Sequence, residues 1–237
     1  MKQPGRFLTA EWINLAMLNY AVDPLLLRPF VPAGTELDAF EGRCYLSLVG
    51  FEFNRTRVLG IAVPFHQAFE EVNLRFYVRR SSRRGVVFIR ELVPRFAVAA
   101  LARSAFGENY SCLPMSHRVR RSPEGEVEVE YGWGSGTDRC TMRIRAEGQG
   151  SLPAEGSLGQ FITEHYWGYT ARAGGETLEY EVQHPRWVVR EGKSAEFSGD
   201  SARFYGVELA NALKRPADSA FLADGSPVTV CKAARIT

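Results

Sequence analysis

Apolar and polar residues alternate along most of this chain with the two-residue period of β-strands, and Gly and Pro punctuate the alternation. The stretch Trp12–Val22 is apolar apart from two asparagines and predicts a buried strand. Asp23-Pro24 reads as an N-cap followed by proline at the first helical position, opening a short helix over Leu25–Phe30 that ends before Pro32. Strands follow over Arg43–Phe53, Val72–Arg80 and Val86–Val93, with the polar segment Ser81–Gly85 as a hairpin loop. Glu126, Glu128 and Glu130 alternate with Val127, Val129 and Tyr131, and Arg139 to Arg145 alternate with Cys140, Met142, Ile144 and Ala146. That pattern predicts an antiparallel pair with one wet face, an acidic row opposite a basic row.

Helical spacing is confined to a few places. Alanine-rich Phe96–Phe106 follows Pro94, Leu158–Tyr169 follows a capping Ser157, and Ser201–Leu213 closes the set. Further strands are expected over Leu178–Val189 and Val228–Ala233. The helices are too few for a βαβ alternation. The pattern therefore predicts a mainly β (α+β) chain: a mostly antiparallel barrel or sandwich with helices packed outside, over residues 1–237 as one domain.

Composition and charge narrow the function classes. The 237 residues are 45% hydrophobic and 24% charged with a formal charge of +2, which excludes a disordered chain and gives no electrostatic footprint for nucleic acid. No apolar run is long enough to span a bilayer, and Lys2, Pro4, Gly5, Arg6 and Glu11 break up any secretory leader, so a cytoplasmic protein is expected. Cys44, Cys112, Cys140 and Cys231 have no metal-ligand spacing and read as reduced, buried thiols. Only four of the 29 cations are lysines, at positions 2, 193, 214 and 232, so amine nucleophiles are scarce. Phosphate-loop, dinucleotide, HExxH and GxSxG motifs are absent, and no cofactor is expected.

Three segments carry candidate chemistry. In Phe65–Arg80, Glu71, Asn73, Arg75 and Tyr77 share one strand face, with Val72, Leu74, Phe76 and Val78 on the other. If the apolar face packs on outer helices, the polar face lines a lumen; otherwise it is solvated. Arg90 and Glu91 are adjacent charges in an apolar strand, so at least one points inward, either as half of a structural ion pair or as a functional group. A desolvated carboxylate there would titrate high and serve as an acid or base. In the run Thr163–Tyr169, Glu164 and His165 could meet His184, but their spacing is not that of a metal site and none is assigned. His66 and His117 sit in loop-like contexts without an evident partner.

The runs DPLLLRPFVPAGTELDAFEGRCYLSLVGF, VPFHQAFEEVNLRFYVRR, GVVFIREL, ENYSCLPM, FITEHYWGYT and EVQHPRW, in this order, resemble the YqjF-like family of bacterial proteins from about Phe7 to Lys232. That resemblance implies the acetoacetate-decarboxylase-like fold, a cone-shaped antiparallel β-barrel with a few helices outside. It also implies that Glu71 matches the decarboxylase's pocket glutamate and that Arg90-Glu91-Leu92 matches its arginine-glutamate-leucine stretch. Its proline and two lysines, the first of which forms the Schiff base, match Pro94-Arg95-Phe96. The decarboxylase's substrate-facing arginine near the N-terminus has no counterpart. Arginine stays protonated and forms no Schiff base, so amine catalysis is not expected at Arg95. Arg95 could clamp an anion or pair with Glu71 or Glu91.

The expected function is binding of a small anionic or carbonyl metabolite in the barrel, with Glu71 as acid/base and Arg95, Glu91, Arg90, Asn73, His165 and Glu164 around the ligand. A non-catalytic binder or a scaffold on the same fold is the alternative. No metal, nucleic acid or membrane is expected as partner, and homo-oligomerisation stays open.

Overall fold

The computed structural model of the chain describes residues 5–236. In chain order the strands are β1 (Arg6–Val22), β2 (Glu36–Leu37), β3 (Cys44–Val58), β4 (Ile61–Ala62), β5 (Phe69–Arg80), β6 (Arg83–Val93), β7 (Tyr110–Cys112), β8 (Met115–Arg121), β9 (Val127–Trp133), β10 (Cys140–Ala146), β11 (Trp167–Ala171), β12 (Thr177–Gln183), β13 (Val189–Ser198), β14 (Ser219–Cys231) and β15 (Ala234–Ile236). The helices are α1 (Pro24–Leu27), α2 (Phe96–Phe106), α3 (Leu158–Thr163), α4 (Ala202–Tyr205) and α5 (Val207–Leu213). Asp23 caps α1 by accepting from the Leu25 amide at 2.9 Å, and Ser157 caps α3 by accepting from the Gln160 amide at 3.2 Å. The mainly-β class is as the alternation predicts.

Seven strands form a ring. The order β12-β11-β6-β5-β3-β1-β14 returns to β12 through the pairs Val182↔Val230 and Gln183↔Thr229. The pairing is antiparallel except where β6 meets β11 and β7, both parallel. From β14 the sheet continues through β13, β10 and β9 to β8. This extension folds across the outside of the ring. Val72, Leu74 and Phe76 of β5 share one buried cluster with Val129 and Tyr131 of β9 and Met142 and Ile144 of β10. The apolar face of β5 thus packs mainly on a second sheet layer, not on outer helices. Gly50 makes the approach possible, because a Cβ there would lie 2.4 Å from the Tyr131 ring. On the wet side of this layer Arg143 meets Glu130 and Arg145 meets Glu128, as the alternating rows predict.

Several boundaries differ from the sequence expectations. The helix from Leu158 stops at Thr163, and Trp167–Ala171 is a strand, so His165 and Tyr169 are not helical neighbours. The expected strand Leu178–Val189 is two strands separated at His184–Val188. Gly206, at φ 85°, splits the last helix into α4 and α5. Cys112 is exposed while the other three thiols are buried. No helix among the described residues is long and apolar enough to cross a membrane. Lys2 lies outside the described residues.

Candidate functional site

The inner face of the ring encloses a cavity of about 100 Å3, several times the space that one water needs. Its walls are largely aromatic, with Trp12, Phe51, Phe53, Phe88 and Phe106 among them, and α2 covers it with Val98, Leu101 and Ala102. β5 contributes Glu71, Asn73 and Arg75 by strict alternation. β6 contributes Glu91 by a break in alternation. Leu74 pairs with Arg90 and Arg75 with Phe88, so Ile89 is an extra residue in β6. Beyond this bulge the faces exchange: Phe88 and Glu91 both line the cavity although they are three positions apart. Asn109 holds the bulge, donating from Nδ2 to the Ile89 carbonyl at 2.9 Å while its backbone carbonyl accepts from the Glu91 amide at 3.1 Å.

Two further groups come from the segment after α2. Gly107 ends that helix at φ 71°, and the extended chain beyond it pairs with β6, Tyr110 opposite Glu91. Glu108 and Tyr110, two residues apart in this segment, both reach the cavity. Tyr180 enters from β12. Its ring lies over Gly168 of β11, where a Cβ would come within 2.2 Å of it.

The cavity therefore gathers three carboxyl groups at 2–4% exposure: Glu71, Glu91 and Glu108. Their hydrogen-bond partners are neutral. Glu71 accepts from Tyr110 Oη at 2.9 Å and from Asn73 Nδ2 at 3.1 Å. Glu108 Oε1 accepts from Tyr180 Oη at 2.7 Å and from Thr170 Oγ1 at 2.5 Å. Burial pushes Glu71 up to about 7, against the hydrogen bonds from Asn73 and Tyr110 and the charge of Arg75. Burial likewise carries Glu108 up to about 7. Glu91 is held well above the usual carboxylate range, first by burial and then by the charges of Glu108 and Glu71. Its Oε2 has no hydrogen-bond partner.

Arg75 is the cation of the cavity. It is 8% exposed, its Nε lacks a partner, and no carboxylate among the described residues lies within ion-pair distance of it. It also lines a small adjoining hollow with His165, Trp167 and Trp187.

The structure separates the residues singled out in the sequence. Glu71, Asn73 and Glu91 converge on the cavity. Arg90 faces the opposite side of β6, donating to the Phe204 carbonyl at 3.3 Å, Asn109 Oδ1 at 3.0 Å and Ser111 Oγ at 3.1 Å. Arg95 is exposed at the N-cap position of α2, outside the cavity, because the chain turns outward at Pro94 to start the helix. His165 is buried outside the main cavity, against the Tyr77 ring at 4.6 Å and with Nε2 3.5 Å from Asp38 Oδ2. Burial lowers it to about 4, so it is neutral near pH 7. Glu164 is near the surface, paired with Arg186. His184 stacks on Trp187 at 4.2 Å, and among the described residues no group of three or more His, Cys, Asp or Glu is arranged to hold a metal ion. His117 does have partners: Glu52 at 3.1 Å and Glu70 at 2.8 Å.

Sequence reasoning missed Glu108, Tyr110, Thr170 and Tyr180. The usable signal was Glu108-Asn109-Tyr110 after a helix-ending glycine, which puts an acid and a phenol on one face of an extended segment. Of the lysines, Lys193, Lys214 and Lys232 are exposed and none lines the cavity.

Known proteins share this architecture. The enduracididine biosynthesis enzyme MppR, in its complex with pyruvate, superposes with a TM-score of 0.71 at 13% identity, covering 100% of this chain and 92% of MppR. An acetoacetate decarboxylase-like enzyme from Sphingomonas wittichii RW1 does so with a TM-score of 0.70 at 12% identity, covering 97% and 93%. Together with the closed ring, these likenesses establish an acetoacetate-decarboxylase-like fold. In sequence, YqjF of Bacillus subtilis (strain 168) is 27% identical over 188 residues, 77% of this chain and 75% of YqjF. The family DUF2071, described as "Uncharacterized conserved protein", matches residues 9–227. With that match running through both sheet layers and every element of the cavity, the chain belongs to the DUF2071 family, in which YqjF is its relative.

Proposed function

We propose that the ring cavity binds a small carbonyl-bearing, anionic metabolite and moves a proton on it without forming a Schiff base. The observation that carries this reading is the set of three buried carboxyls whose hydrogen-bond partners are phenols, a hydroxyl and an amide rather than cations. Groups titrating near 7 can both take and give protons at neutral pH. Glu71 as carboxylate removes a proton from the carbon beside the carbonyl. The C–H electron pair becomes the new C=C bond, and the carbonyl oxygen takes a proton from the protonated Glu108, leaving an enol and an ionised Glu108. Tyr110 steadies Glu71 through its hydroxyl. Arg75, not the exposed Arg95, is the cation available to the anionic group.

MppR's solved complex with pyruvate makes pyruvate a fitting first probe. Deuterium exchange into its methyl group, followed by NMR in D2O, tests the step without knowledge of the natural substrate. Wild type should accelerate exchange, and Glu71→Gln should lose about 100-fold or more of that acceleration. Borohydride added with acetoacetate or pyruvate should trap no covalent adduct. Unaltered exchange in Glu71→Gln removes it as the base, and a trapped lysine adduct overturns the amine-free route. Binding of pyruvate without exchange favours a non-catalytic binder.

A further inference from the structure

Of the buried polar atoms in the ring cavity that lack partners, Trp12 Nε1 and Asn73 Oδ1 belong to neutral side chains, and two belong to ionisable side chains of opposite kind. Arg75 Nε is one; Glu91 Oε2 is the other. Both residues are more than nine-tenths buried, and both line the same cavity. Every other acid of the cavity is engaged: Glu71 by Tyr110 and Asn73, Glu108 by Tyr180 and Thr170. A buried guanidinium nitrogen or carboxyl oxygen without a partner is costly, and each is relieved by a ligand group of the complementary kind. The strand pairing fixes their separation. Glu91 lies opposite Asn73 and Arg75 lies two residues further along β5, so the two are diagonal neighbours, about 7 to 8 Å apart at the backbone. The cavity walls around them are largely aromatic.

We infer that Arg75 and Glu91 are the two recognition poles of this cavity, and that its ligand is a short, zwitterionic amino-carboxylate whose carboxylate docks on Arg75 and whose ammonium docks on Glu91. The inference rests on reading the cavity as a ligand site and adds which ends of the ligand are read and by what. An Arg fork takes a carboxylate in a bidentate fashion, and an ammonium on Glu91 converts that carboxyl to its ionised form with release of a proton. The ring walls Trp12 and Phe88 add a face that favours a cation.

Three probes of one length test it: 4-aminobutyrate, butyrate and butylamine, measured by calorimetry on the whole chain. The aminobutyrate should bind at least tenfold tighter than either half-molecule, and its binding should release protons, seen as a heat that depends on the buffer's ionisation enthalpy. Glu91→Gln should abolish the preference for the aminobutyrate over butyrate and the proton release. Arg75→Met should weaken aminobutyrate and butyrate alike by about tenfold to a hundredfold, and Arg75→Lys by less. Glu91→Gln is nearly isosteric and Arg75→Met removes an unpaired buried charge, so both should fold, which circular dichroism checks. Butyrate binding as tightly as aminobutyrate, lost in Arg75→Met and indifferent to Glu91→Gln, overturns the two-pole inference and leaves the cavity reading standing. Silence from all three probes overturns the inference together with that reading.

Discussion

On β9, Glu128 and Glu130 look across to the arginines of β10; inside the ring, Glu71, Glu91 and Glu108 look at tyrosines, a threonine, an asparagine and one another. The residue type is the same and the protons behave oppositely. Arg145 holds Glu128 below the usual carboxylate range, whereas burial lifts Glu71 to about 7. Glu128 is fixed as an anion, a strut between two strands. Glu71 and Glu108 hover between two protonation states, which is what proton transfer requires. What separates the two groups is the partner and the solvent, both decided by which side of a sheet the residue occupies.

The harshest test of this is to place the same acid on the other face of β5. Leu74 neighbours Asn73 but is wholly buried against the second sheet. Leu74→Glu should cost about 4 kcal/mol or more and leave little folded protein at pH 7 by circular dichroism.

A smaller effect comes from pH. Glu71 ionises near 4.5 when unfolded and near 7 when folded, so its contribution to stability is full below pH 4.5 and lost as pH rises through 7. Glu108 follows the same course. Glu128, with its folded value lowered, contributes above its unfolded value, and that contribution is lost as pH falls. Melting temperature should therefore decline between pH 5 and 8 in wild type, and the double variant Glu71→Gln, Glu108→Gln should flatten that decline. A decline unchanged in the double variant places its origin elsewhere.

Gly168→Ala sharpens the comparison at the level of packing, since the added methyl meets the Tyr180 ring that holds Glu108. A loss of about 1 to 3 kcal/mol in denaturant unfolding is expected. The smallest change belongs to the ladder: Glu130→Gln should cost under about 1 kcal/mol, less still in high salt, because its partner Arg143 is half exposed.

Much of this fold is legible in the alternation. The two faces of β5, the paired rows of β9 and β10 and the caps at Asp23 and Ser157 all follow from local patterns. Half of the site is legible for the same reason, because Glu71, Asn73 and Arg75 sit at period two. The rest depends on where the chain goes. Arg95 reads as a cavity cation only if β6 continues straight, and Pro94 turns it outward. Glu108 lies 62 residues before Thr170 and 72 before Tyr180, and they meet because β6 pairs with both the segment after α2 and β11. The helix expected to Tyr169 fails because Trp167 and Gly168 are drawn into parallel pairing with β6, a partner no local pattern announces.

The extra residue at Ile89 has a bearing on inheritance. Were β6 to pass this point in strict alternation at the same length, Arg90 would enter the lumen and Glu91 would be driven toward the second sheet. Loss of Ile89 together with its bulge would instead leave Phe88 and Glu91 two positions apart and both facing the cavity. A descendant shorter by that one residue could thus keep the chamber's chemistry intact, and a gap at this point of an alignment would record a change of backbone path rather than of charge.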